Sequence, residues 1–367
     1  MAIAGLEVGL PDNGESVTVE WLTEVLRTSG AIDGDTTVAT VDCARWESGG
    51  LLSYLYRAEL GYDGGDGPAS LVLKFPTDLP NQRAMADAFG IYRKEVVWYR
   101  DIAPRSDVEI PLIHAAMITD DASNYCVVME DLRHLRQADR YTGMSWDEAV
   151  RAVVALADYH SAWTGSDELP GLSELFHGLS SPLNRGGMPG LAAAGWPVAK
   201  VEAAHVLDES VVALGDRWSD LLPKMLDRME ERPTLCHLDW RSDNLFIDDD
   251  GDRIVAIDPQ IAGVGNPACD LGYFISQSLE REVREGRERE LVQLYVDRMA
   301  ERGHTIDGDQ LFDDVRISAA VCLIYGIVSY PEWDNLDDVA KHATETLLRR
   351  AAATAADLDS LAAVTAL

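Results

Sequence analysis

Between residues 235 and 270, three oxygen-bearing side chains stand at spacings that suit one kind of reaction. Two short apolar runs, Leu245–Ile247 and 254–257, flank Asp249-Asp250-Gly251-Asp252, the pattern of a β-hairpin with an exposed turn. Asn244 stands about as far before that turn as Asp258 stands after it, so closing the hairpin brings an amide oxygen and a carboxylate together at its open end. Both are hard oxygen donors of the kind Mg²⁺ takes. Asp239 lies five residues before Asn244, in the loop that enters the first strand. Its carboxylate can accept a proton from a hydroxyl nucleophile. A cation site beside a base is an arrangement for phosphoryl transfer.

Such a hairpin needs a second half that holds phosphates, and the first third of the chain offers one. A helix is expected over 16–27, with Val17, Trp21 and Val25 at helical spacing. Strands follow over 37–46, 53–60 and 70–75, the first two joined by Glu47-Ser48-Gly49-Gly50. Adjacent glycines let backbone N–H groups approach phosphate oxygens closely. No GxxxxGK[ST] sequence and no GxGxxG after a strand occurs, which argues against P-loop and dinucleotide-binding enzymes. Lys74 ends the apolar run of the third strand. One helix is expected over 83–101, where Met85, Phe89, Tyr92, Val96 and Tyr99 recur at three- and four-residue steps. Glu95 borders that face and can reach an ammonium on the neighbouring sheet. Strands over 111–119 and 124–130 come next, and the second turns polar at Glu130-Asp131, as befits a connector with backbone groups for an adenine edge.

Beyond Arg133 the chain reads as helical. Ser145 and Glu148 form a capping box opening a helix to about residue 163, with His160 beside its apolar stripe as a hydrogen-bonded core histidine. Residues 169–194, rich in Gly, Pro and Ser, predict short helices and loops. Further helices are expected over 201–217, 221–229, 279–300, 310–328 and 336–358. Trp163, Tyr325, Tyr330 and Trp333 are candidates for aromatic walls or for core. The apolar window 319–330 is too short to span a bilayer.

The balance of 31 basic against 63 acidic residues, net −32, disfavours nucleic acid and anionic membranes as partners. The surplus is scattered and reads as a solvated surface. Five cysteines without CxxC or Cys/His spacing imply neither a disulfide framework nor a zinc site. The start, MAIAGLEVGL, lacks a basic n-region, which leads to the expectation of a cytoplasmic protein.

Strand–Gly turn–strand, strand lysine, helix glutamate, apolar connector and a helical half carrying the hairpin follow one another in the order of the protein-kinase-like fold. The chain resembles the aminoglycoside phosphotransferase-like kinases of small molecules, nearest their choline-kinase and ecdysteroid-kinase-like branch. His237-x-Asp239-x-x-x-x-Asn244 matches the catalytic loop of that family, and Ile257-Asp258 its metal-binding aspartate. The resemblance implies an α+β, two-lobed fold, with an antiparallel-sheet lobe over 1–132 and a mostly helical lobe over 133–367. It implies ATP and Mg²⁺ as cofactors and a hydroxyl on a small molecule as acceptor. Asp239 would be the base, with Asn244 and Asp258 on the metal. Lys74 would bind phosphate, Glu95 would hold Lys74, and Ser48, Gly49 and Gly50 would cover the phosphates. The backbone at Glu130 and Leu132 would hold adenine. Arg241, two residues after the base, would reach the γ-phosphate or pair at the surface. His237 and Asp270 would brace the loop. Leu238 replaces a glycine common in the family, and Asp258-Pro259-Gln260 stands where protein kinases have DFG. With no APE sequence, protein substrates are disfavoured. Amino sugars, aminoglycosides, choline-like amines and sterols all stay open as acceptors. The rival readings are a non-catalytic nucleotide-binding module and, without HExxH, a metal-dependent hydrolase.

Overall fold

A computed structural model describes residues 9–46 and 52–367. These divide into two compact units, and the division does not fall at one chain position. The first holds residues up to Arg136 together with Val255–Ile261, and the second holds Gln137–Ile254 and Ala262–Leu367.

In the first unit, helix α1 (Val19–Thr28) starts where Thr18 Oγ1 accepts the Trp21 N–H at 3.2 Å. Five strands follow: β1 (Thr37–Arg45), β2 (Ser53–Asp63), β3 (Ser70–Pro76), β4 (Ile113–Ile118) and β5 (Tyr125–Glu130). They form one antiparallel sheet in the order β1-β2-β3-β5-β4. Successive strand residues point to opposite faces. Leu71, Leu73 and Phe75 of β3 therefore share one core with Leu22, Val25 and Leu26 of α1. Val72 and Lys74 take the other face.

The helix expected over 83–101 is broken. Helix α2 (Pro80–Phe89) ends at Gly90, whose φ of 63° is a left-handed stop, and α3 (Ile91–Val97) restarts there before a wider π-type turn over Trp98–Ile102. Glycine reaches that conformation without steric cost, so the apolar period continues through a change of direction. In α3, Lys94 is only 2% exposed, and its ammonium has no hydrogen-bond or ion-pair partner among the described residues. Burial pulls its pKa down to about 8. The folded protein thus releases this proton near pH 8 and the unfolded chain near 10.5, so the unfolded state binds more protons in between and stability rises across that window. Below it the charged form costs the fold up to about 3 kcal/mol. Lys94→Met is expected to raise Tm at pH 7 and to matter little at pH 10.5; an unchanged Tm at pH 7 would mean that the ammonium is well solvated.

The second unit is helical around short strands. Its longer helices are α4 (Trp146–Ser161), α5 (Pro182–Glu202), α6 (Trp218–Arg228), α7 (Ala268–Ser278), α8 (Glu288–Glu301), α9 (Gly308–Ile327) and α10 (Asp338–Asp357). The capping box at Ser145 and Glu148 is formed. Strand β6 (Thr234–Cys236) is followed by β7 (Leu245–Ile247), by β8 (Ile254–Ala256), which from Val255 on belongs to the first unit, and by β9 (Gly263–Gly265), and β6 pairs antiparallel with β9. The expected hairpin turn closes with the Asp248 N–H donating to Arg253 O at 3.2 Å.

The expectation of short helices and loops over 169–194 holds as far as residue 181, with a short helix over Leu169–Leu172, and is overturned from Pro182 on by helix α5. That helix runs 21 residues despite Pro189 and Pro197. Met188, Ala192, Trp196 and Ala199 make a buried stripe, and Gly195 lies so close to the Ile327 carbonyl that a Cβ would sit 2.2 Å from its oxygen. Packing against α9 thus outweighs the prolines' poor helix propensity. The helix expected over 201–217 is reduced to Glu209–Gly215, and the one expected over 279–300 is two, Arg281–Arg284 and α8. Helix α9 is buried along Ala319–Leu323, so its apolar window is core. All five cysteines are free thiols. Among the described residues no helix is long and apolar enough to cross a membrane.

Candidate active site

The alternation of β3 aims Lys74 at α3. Its Nζ lies 2.7 Å from Glu95 Oε1 and 2.7 Å from Asp258 Oδ1, both in the first unit. Glu95 is fully buried, and its second oxygen is also occupied. Gln260 Nε2 donates to Oε2 at 2.9 Å and the Tyr125 hydroxyl at 3.1 Å, while both donors also reach Ser53 Oγ at 2.8 Å. A buried carboxylate with this many donors is fixed in place. Burial works against the Lys74 charge, but Asp258 and Glu95 outweigh it and hold the ammonium above its ordinary pKa. Burial, with Asp258 adding, pushes the Glu95 carboxyl up against the pull of Lys74. Asp258 itself sits at a left-handed φ of 64°, with its N–H donated to the Tyr99 hydroxyl at 3.4 Å.

In the second unit, β6 delivers the catalytic-loop sequence. The loop is held from below by Asp270, a fully buried residue in the first turn of α7. Its Oδ2 accepts the His237 N–H and its Oδ1 the Leu238 N–H, each at 2.6 Å. His160 of α4 lies 3.0 Å from Oδ2 through Nε2, and 2.9 Å from the Tyr295 hydroxyl through Nδ1. Leu238 has a φ of 62°, where a side chain crowds its own carbonyl at a cost of about 1–2 kcal/mol. The two short bonds to Asp270 hold that conformation. His160, Cys236 and Asp270 lie close enough to share an ion, yet both Asp270 oxygens are already taken by N–H donors. Replacing Asp270 with Asn is expected to leave one of these donors unsatisfied, costing about 1–3 kcal/mol in denaturant unfolding, and to lower turnover as Leu238 relaxes. Unchanged stability and turnover would refute the bracing role.

The loop then places Asp239. Asn244 Nδ2 donates to Asp239 Oδ2 at 2.8 Å and to the Asp239 carbonyl at 2.9 Å, and Arg241 Nε stands 2.9 Å from Asp239 Oδ1. Arg241 also meets Asp243, which Arg140 holds in turn. The pairing found for Arg241 is with the base itself and with Asp243, in a half-buried position. With its nitrogen spent twice, Asn244 has its amide oxygen for a cation. Burial pushes the phenols of Tyr273 and Tyr325 up, and the charge of Asp239 contributes to both. Trp163 is core, and Tyr330 is buried with its ring stacked on Trp333.

Of the residues singled out from sequence, the first unit brings together Lys74, Glu95 and Asp258, and the second brings together Asp239, Arg241 and Asn244. Ser48, Gly49 and Gly50 lie outside the described residues. The Glu130 N–H is spent on the Leu112 carbonyl, and Leu132 O accepts the Leu135 N–H. Between them Asp131 is tied to Ser70, Arg57 and Arg133. Sequence reasoning missed Gln260, Tyr125, Ser53, Tyr99 and Tyr295. The one available signal was Gln260 in the unusual Asp258-Pro259-Gln260 run. The amide oxygen of Asn244 in the second unit and the carboxylate of Asp258 in the first are each oxygen donors of the kind Mg²⁺ takes.

A model of the ecdysteroid kinase-like family matches residues 49–307 of the chain. No curated protein matches its sequence. Among solved structures, the chain is similar to a choline kinase from Cryptosporidium parvum Iowa II, at 10% identity and a TM-score of 0.55, over 94% of this chain and 96% of that one. It is similar to an aminoglycoside phosphotransferase from Alicyclobacillus acidocaldarius, at 13% identity and a TM-score of 0.51, over 92% and 95%. It is also similar to an aminoglycoside phosphotransferase in complex with GDP and kanamycin, at 16% identity and a TM-score of 0.51, over 91% and 98%. At these identities the likeness is one of fold.

Proposed function

This chain belongs to the ecdysteroid kinase-like family, and on that premise we propose that it is a kinase that transfers the γ-phosphoryl group of ATP to a hydroxyl of a small molecule. The observation that carries the reading is the buried Lys74 ammonium gripped by both Glu95 and Asp258. A lysine held charged beside a metal-binding carboxylate serves phosphate, and few other reactions need that pairing. Two of the solved structures it resembles carry the same reaction type in their names, and one of them was solved with GDP and kanamycin bound.

Each residue then has a role. Lys74, fixed by Glu95, contacts the α- and β-phosphates. Glu95 in turn is held by Gln260 and Tyr125, which fixes the carboxylate that positions the ammonium. Asn244 and Asp258 hold Mg²⁺, which when bound neutralises charge on the phosphates. Asp239 accepts the proton of the acceptor hydroxyl as its oxygen attacks phosphorus. Asn244 and Arg241 each fix one oxygen of that carboxylate, so it does not rotate away from the hydroxyl. Asp270 and His160 keep the loop backbone in its left-handed turn at Leu238.

An ATP-consumption screen over hydroxyl compounds, with amino sugars, aminoglycosides, choline-like amines and sterols as classes, tests the proposal. Mg²⁺-dependent ATP turnover with one class is the expected result. Thermal stabilisation by ATP and Mg²⁺ without transfer to any acceptor would favour a non-catalytic nucleotide-binding module. Turnover of an ester or phosphoester without ATP would favour a hydrolase.

A further inference from the structure

The second unit contains a cavity of about 1020 Å³, at the large end for small-molecule sites. It lies away from the base. Tyr325, which feels the charge of Asp239, sits on α9, whereas the cavity is lined by Leu311 and Asp314 of the same helix. From residue 314 to residue 325 is eleven residues, about 16 Å along a helix axis. The ribbon gives the same answer. Thr234 pairs with Gly265 at the cavity end of β6 and β9, and Cys236 with Gly263 at the end that leads to Asp239.

The walls are preformed. Gly178 packs on the Val264 carbonyl so closely that a Cβ would sit 1.8 Å from its oxygen, and Val264 N–H donates to Phe176 O at 2.9 Å. Leu169, Pro182, Pro233, Val264, Ile306 and Leu311 make the lining chiefly apolar. The charges are one-sided. Glu230, Asp307 and Asp314 line the cavity against a single arginine, Arg232. Arg232 is already committed, with its guanidinium 2.6 Å from Asp314 and 2.7 Å from Glu231, and the buried Asp314 is held by Arg228 as well, at 2.6 Å. Glu230 is shared with Arg185, and Asp307 caps α9. With Asp314 neutralised by two arginines, an anionic group entering here meets Glu230, Asp307 and a spent guanidinium, while a cationic group meets the negative charge of Glu230 and Asp307.

We propose that this cavity is a binding site for a cationic amphiphile, an apolar body carrying an amine, separate from the site of phosphoryl transfer. The inference does not rest on the kinase reading, because it concerns binding alone. The test uses the full chain and three probes of equal length below their micellar concentrations, decylamine, decanol and decanoate, each titrated calorimetrically. Decylamine is expected to bind saturably at one site, at least tenfold more tightly than decanoate, with decanol between. Ser173→Trp and Gln310→Trp, placed on the rim, are each expected to weaken decylamine at least tenfold with an unchanged circular-dichroism spectrum. Glu230→Lys, on the surface, is expected to weaken decylamine at least threefold and to favour decanoate. Three results would overturn the site or its chemistry: no saturable binding of decylamine, binding untouched by both tryptophan variants, or decanoate binding as tightly as decylamine.

Discussion

Asp239→Asn is expected to lower kcat by about 10²–10⁴-fold, the usual worth of a general base, while leaving the KM for ATP within about threefold. Amide and carboxylate have the same shape, so the loop keeps its backbone and the Asn244 N–H can still find an oxygen at Oδ2's place. What the variant loses is the ability to take a proton, and with it the charge that faces Arg241. The groups proposed to hold nucleotide, Lys74 and Glu95, belong to the other unit and are untouched. The split is therefore informative: a fall in kcat without a change in nucleotide KM marks an interaction used in the transition state only. Kinetics on the acceptor found by the ATP-consumption screen give the answer. Turnover within about tenfold of the parent would remove Asp239 from the role of base.

The second large effect concerns Lys74, where stability and activity are predicted to part company. Lys74→Met removes the one cation bound to Glu95 and leaves a fully buried carboxylate with only neutral donors, Gln260 and Tyr125. Breaking one side of a buried pair costs about 3–5 kcal/mol. Protonation of Glu95, already driven upward by burial, relieves part of that cost, so the variant should regain stability as the pH is lowered. The direction follows from the rule that a carboxyl raised in the folded state takes up protons on folding, so its unfavourable contribution grows as pH rises. Pairing the change with Glu95→Gln removes the buried charge and should recover most of the lost stability. It should recover none of the activity, because the phosphate-binding ammonium is still missing. Denaturant unfolding and ATP turnover on the two variants separate the outcomes. Equal stability of the single and double variants would show that Glu95 is not held by its charge.

The acidic balance of the chain has no single expression in either half-site. A part of its carboxylates pair locally with arginines, as with Arg298 and Asp158 or Arg281 and Asp357. Exposed pairs of this kind contribute little each and are screened by salt. The charges that matter to the proposed chemistry are few: Lys74, Glu95 and Asp270 are buried, and Asp239, Arg241 and Asp258 are half-buried.

How far the residues alone could be read depended on whether the controlling force was local. The strand alternation around Lys74, the capping box at Ser145 and Glu148, and the spacing of His237, Asp239 and Asn244 are set within a few residues. Their consequences are visible in the sequence because backbone geometry fixes them. The family and the α+β architecture followed from that order of elements. What tertiary structure decided is which distant side chains complete each site. Gln260 reaches Glu95 across 165 residues and His160 reaches Asp270 across 110, and no local period marks either pair. The same holds for helix α5, whose prolines argue against a helix until α9 supplies a surface to bury its stripe. It holds for Gly90, where a smooth apolar period conceals a left-handed break. Periodicity records which face is buried. Only packing decides what that face meets, because burial energy is non-directional, and it is the hydrogen bonds made once the faces meet that choose Lys74's partners and hold Leu238 in its strained turn.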